Sequence, residues 1–137
     1  KELGLYLDPF QYFGMLSMEI HRAIRLVVDT GIHGKGWTRE EAIKYSLDHE
    51  AESEKSIIAE VERYMATPGQ ALSYKIGQLK IRELRTKAEK ILDDKFDIKL
   101  FHDQILNSGS LPLILLEKKV NAWIIDEMKK KKISNQN

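Results

Sequence analysis

Apolar residues recur at three- and four-residue spacing along most of this chain, and nowhere is the alternation of a half-buried strand sustained. The pattern predicts an all-α protein, an antiparallel bundle of about six helices joined by short connections. Asp8 followed by Pro9 is a cap and first-turn signature, and the run from Phe10 to Val28 that follows is expected to stop at Gly31 after about five turns. The next stretch, GIHGKGW, has three glycines and reads as a loop. Thr38 with Glu41 makes a capping box for a second helix reaching His49. Ile57, Ile58, Val61, Tyr64 and Met65 mark a third helix, and Thr67, Pro68 and Gln70 signal the start of a long fourth one ending near Leu92. Asp97 caps a fifth, closed by Gly109, and Pro112 opens a sixth with Leu113, Leu116, Val120, Trp123 and Ile124 inward.

Ionisable residues interrupt this apolar pattern in one place. In MEIHRAIRLVVDTGIHGKGW, the residues Glu19, Arg22, Asp29 and His33 fall on one face of the first helix, with Leu26 at the missing step. Burying charges costs several kcal/mol per ion unless they are paired, so the stripe is either a structural network or the wall of a polar cleft. As a network, Glu19 pairs with Arg22 and Arg25 with Asp29. As a cleft, Glu19, Arg22 and Asp29 hold His33 in place across the glycines. The fourth helix has a second set: Gln70, Tyr74, Gln78, Ile81 and Arg85 share a face, with Gly77 beside them. A helix-interior glycine costs about 1 kcal/mol relative to alanine, which tight helix packing at Gly77 would offset. Tyr74, between two glutamines, is either a buried tyrosine with a satisfied hydroxyl or a donor to a developing oxyanion.

Composition narrows the possibilities. The 137 residues make one domain's worth of sequence, 42% hydrophobic and 31% charged, with a net charge of +1. That balance gives no pull toward nucleic acid or acidic lipid; the lysines at 129–132 belong to a basic, polar tail over residues 129–137. The absence of cysteine excludes disulfides, thiolate catalysis and Cys-based zinc sites. No run of about 18 apolar residues is present to span a membrane. His21, His49 and His102 form no metal-binding pair with another histidine, so no metal ligand is assigned here. KELGLYLDPF opens without an initiator methionine or a signal-peptide pattern, and the chain is expected to be a fragment or a processed C-terminal piece.

The strings GLYLDPFQYFGML, EIHRAIRLVVDTGIHGKGWTREEAI, EVERYMATPGQALSYKIGQLKIRELR and KFDIKLFHDQILNSGSLPLILLE resemble the C-terminal portion of the bacterial domain-of-unknown-function family 885. The resemblance implies a helical, zinc-metallopeptidase-like fold, with residues 1–128 forming the C-terminal segment of a larger peptidase-like domain. It places the zinc motifs upstream of KELGLYLDP, so this piece supplies the substrate side and is inactive alone. Tyr74 then resembles the tyrosine aimed at the tetrahedral oxyanion. His33, held by Asp29, resembles a substrate-binding or transition-state histidine, and Arg22, Arg25, Asp29 and Gln70 become substrate-binding residues. The implied partners are the remainder of the parent polypeptide and a peptide substrate, with self-association of the isolated piece and export to the periplasm or cell surface as further expectations. The alternative is a non-catalytic helical interaction module.

Overall fold

The computed structural model describes residues 4–134 and is helical throughout, with no strand among the described residues. The order is α1 (Pro9–Lys35), α2 (Arg39–His49), α3 (Glu54–Ala66), α4 (Gln70–Leu92), a 3-10 turn (Asp93–Lys95), α5 (Ile98–Leu106) and α6 (Leu113–Ser134). The all-α bundle of six helices expected from the periodicity is what forms. The helices gather into two compact units that divide between Ile76 and Gly77, within α4.

In the first unit, α1, α2 and α3 pack on one another. Their core joins Ile24 and Val28 of α1, Ala42 and Ile43 of α2, Ile57, Val61 and Tyr64 of α3, and Ala71 from the first turn of α4. Local caps start these helices where the sequence places them. The Asp8 carboxylate accepts from the Gln11 amide at 2.9 Å. The Thr38 hydroxyl and the Glu41 carboxylate close a reciprocal capping box. Two expectations need correction. α1 does not stop at Gly31 but runs to Lys35, and only Gly36 takes the left-handed conformation (φ 70°) that ends it. Gly31 is needed for space: a Cβ there would lie 2.3 Å from the Trp37 ring, which folds back onto the helix. Thr67 does not cap α4 either; it terminates α3, its hydroxyl donating to the Arg63 carbonyl at 2.7 Å.

In the second unit, Leu84, Ala88 and Leu92 of α4 meet Phe101 of α5 and Leu116, Val120 and Ile124 of α6. Asp97 caps α5 by accepting from the Lys99 amide at 2.7 Å. Gly109, at φ 63°, turns the chain toward α6. α6 continues through the lysines to Ser134, so the basic stretch begins as helix; residues 135–137 of the expected tail lie outside the described residues. Gly77 is not a packing glycine, because a Cβ there would meet nothing within 4 Å. No helix among the described residues is long and apolar enough to cross a membrane.

Candidate functional site

The polar chemistry of the first unit converges where α1, α3 and the start of α4 meet. Asp29 is 2% exposed, and both its carboxylate oxygens accept from the Gly69 amide, at 3.1 and 3.2 Å. A carboxylate at that point supplies from α1 the cap that α4 lacks in its own sequence, and its charge suits the positive end of the helix dipole. One turn further along α1, His33 Nε2 lies 3.0 Å from the Tyr64 carbonyl oxygen. A carbonyl only accepts, so this nitrogen bears the proton and satisfies a carbonyl near the C-terminus of α3. Asp29 therefore holds the turn that opens α4, and His33 holds the end of α3 that leads into it. They do not hold each other, as the cleft reading expected, because each is committed to a different backbone group, the Gly69 amide and the Tyr64 carbonyl.

The arginines follow neither ion pairing expected of them. Glu19 meets Lys75 of α4 at 3.1 Å instead of Arg22, and Asp29 is taken by Gly69 instead of Arg25. Arg22 and Arg25 turn to Tyr74 of α4, each guanidinium carbon 5.1 Å from the centre of its ring. Contacts of this kind are worth roughly 0.5–2 kcal/mol, rising as the site loses water. Arg25 also lies 5.3 Å from the Tyr64 ring and reaches the Gln70 side-chain oxygen at 3.4 Å. Its Nε is buried without a hydrogen-bond partner. Arg22 makes no hydrogen bond or ion pair among the described residues. Tyr74 is 49% exposed, so the ring that gathers these cations also faces solvent.

Three residues that sequence reasoning left outside the site complete its floor. Arg63 grips Glu60 with two nitrogens, at 3.1 and 2.6 Å, and donates to the Gln70 oxygen at 2.9 Å. The Tyr64 hydroxyl donates to Glu60 at 2.8 Å. The bonds from Arg63 hold the Glu60 carboxyl below the usual carboxylate range. Burial, then the bond to Glu60, pushes the Tyr64 phenol far above its ordinary value, so it stays a neutral donor. The signal for this network was the spacing in EVERY, where Glu60, Arg63 and Tyr64 are three and four residues apart. Elsewhere, His21 Nδ1 meets the Glu50 carboxylate at 2.6 Å, and His49 Nδ1 donates to the Tyr45 carbonyl at 2.7 Å.

These residues do not fit a zinc site by themselves. No three His, Cys, Asp or Glu side chains converge among the described residues, and Asp29, His21 and His33 are already engaged. The site offers a half-exposed phenol, two guanidiniums without carboxylate partners and a glutamine whose oxygen is occupied and whose NH2 is not. Such a set holds anions and donates hydrogen bonds; it contains no evident nucleophile.

A second feature lies along the first half of α1. Phe10 is 87% and Phe13 64% exposed, and Leu16, Met18 and Ile20 are also exposed. Phe13, Leu16 and Ile20 line a largely apolar groove of about 590 Å³ whose other side is formed by residues 49–52.

No curated protein matches the sequence. Among solved structures, a Colwellia psychrerythraea protein described as a "putative lipoprotein" is similar, with 52% identity and a TM-score of 0.88. The similarity covers 91% of this chain and 22% of the Colwellia chain, so the chain spans about a fifth of that protein's length. Residues 1–120 match the family described as "Bacterial protein of unknown function (DUF885)", and the chain belongs to that family.

Proposed function

We propose that this chain forms the substrate-side wall of a peptidase-like hydrolase acting on peptides, with zinc held by other residues of a longer polypeptide. The observation that supports the reading is Tyr74, a half-exposed phenol flanked by Arg22 and Arg25 in a setting rich in donors and poor in counter-ions. A hydroxyl presented this way can donate to the oxyanion that develops when a peptide carbonyl is attacked. Gln70, Arg22 and Arg25 bind and orient the substrate. Asp29 and His33 act as positioning residues: Asp29 fixes the turn from which α4 starts, and with it the place of Tyr74, and His33 fixes the end of α3 that leads into that turn. The exposed apolar row of α1 is covered by the remainder of the polypeptide, in keeping with the greater length of the Colwellia relative, of which the similarity covers 22%. That relative's description as a lipoprotein supports an exported or periplasmic location.

The test is Tyr74→Phe in the longer polypeptide, assayed on peptides. Turnover is expected to fall about 10²- to 10³-fold with bound zinc unchanged, the usual loss of one oxyanion donor. Unchanged turnover removes Tyr74 from the mechanism. The apolar row of α1 also favours a second reading, a non-catalytic module that docks by that face. That reading requires the longer polypeptide to lack peptide hydrolysis altogether.

A further inference from the structure

The sequence left two roles open for Arg22 and Arg25, ion-pair partner or substrate-binding residue, and the contacts now separate them. Glu19 and Asp29, the carboxylates expected to neutralise them, are spent on Lys75 and on the Gly69 amide. Glu60, the remaining carboxylate of the cluster, is bonded to Arg63 and acts on Arg25 only through space. Two cations therefore lie against one tyrosine ring with a single 3.4 Å hydrogen bond between them, that of Arg25 to Gln70. The buried, unpartnered Nε of Arg25 adds a donor that the fold itself leaves unsatisfied. Half-buried guanidiniums without an acceptor are costly, and their forked donors match a carboxylate.

We propose that Arg22 and Arg25, seated on Tyr74 with the Gln70 amide beside them, bind the free carboxylate at the C-terminus of a peptide, so that the hydrolase removes residues from that end. The inference rests on the hydrolase reading above and gives it a substrate class. The guanidinium carbons lie 5.1 Å from the ring whose hydroxyl meets the oxyanion. An extended chain advances about 3.3–3.6 Å per residue, so a carboxylate held there belongs to the first or second residue beyond the bond that breaks. In the reaction, water adds its oxygen to the peptide carbonyl carbon and the C–N bond breaks. The departing nitrogen takes a proton, leaving a shortened peptide acid and a free amino acid or dipeptide.

Binding can be tested on this chain without turnover, by following the Tyr74 ring signals in NMR titrations with N-acetyl-dialanine, its C-terminal amide and inorganic phosphate. The free acid is expected to give a saturable shift and the amide none. Arg22→Gln should weaken the acid about tenfold or more, the scale of one lost charge-assisted bond. Arg22 has no hydrogen bond or ion pair among the described residues to lose, so this variant is expected to keep its fold, which circular dichroism verifies. Arg39→Gln, on an arginine paired with Glu62, should leave binding unchanged. Equal binding of acid and amide, binding of neither, indifference to Arg22→Gln, or phosphate binding more tightly than the peptide acid would each overturn the proposal. Tyr74→Phe keeps the ring and should hold acid binding within about twofold. If the acid binds as expected and the longer polypeptide cleaves no peptide, the hydrolase reading fails while the carboxylate seat stands.

Discussion

The two units spend their polar residues differently. In the second, the core is wholly apolar around Phe101, Leu84 and Val120, and the charges form surface pairs such as Lys80–Glu83, Arg85–Glu89 and Lys130–Glu127. Exposed pairs of this type contribute about 0–1 kcal/mol each, so that unit is held by its packing. The first unit buries the Asp29 carboxylate, engages three histidines with specific acceptors and leaves Arg22 and Arg25 without a bonded carboxylate. Its charges are arranged around a turn and a tyrosine. One unit thus rests on apolar packing, while the other concentrates its polar contacts at one place.

The sharpest way to break the comparison is to open the apolar core. Phe101→Ala should cost about 3–5 kcal/mol, with the loss of amide-exchange protection confined to α5, α6 and the second half of α4. Equal loss of protection in α1–α3 would mean that the units do not respond separately. Gly31→Ala should destabilise the first unit by about 1–3 kcal/mol in chemical denaturation, since its Cβ would meet the Trp37 ring at 2.3 Å. Gly77→Ala, with open space around its Cβ, should instead stabilise by about 0.5–1 kcal/mol. The same substitution in two helices would then have opposite signs, and equal signs would refute the spatial account of Gly31.

The smallest effect concerns acid. Glu60 titrates below its unfolded value because Arg63 and Tyr64 favour its ionised form. Its contribution is therefore present at neutral pH and is lost as pH falls from about 4.3 through the lower folded value. Glu60→Gln should be less stable than the parent at pH 7 and show a flatter acid limb in melting temperature against pH. An unchanged slope would place the acid sensitivity elsewhere.

Much of the fold was legible because its signals are local. Asp8 with Pro9, Thr38 with Glu41, and Asp97 each cap the helix that follows them within four residues. The errors occur where a distant residue decides. Gly31 looks like a helix stop until Trp37 is seen resting on it, and Thr67 looks like the start of α4 until Asp29, 40 residues before Gly69, proves to cap that helix. The candidate site shows the same division. Helical spacing placed Arg22 and Arg25 near each other and Tyr74 one turn from Gln70, but nothing in it could say that α1 would lay those arginines on Tyr74. The pairing of Glu19 with Lys75 joins residues 56 apart, and it engages the partner expected for Arg22.

The corner at Gly31 has an optical consequence. The chain has two tryptophans, and they fall one to each unit: Trp37 against Gly31 and 5.3 Å from Tyr45, Trp123 6.3 Å from Phe101. Trp37→Phe and Trp123→Phe would each leave a single indole whose emission reports the melting of one unit, so each unit has an intrinsic fluorophore of its own.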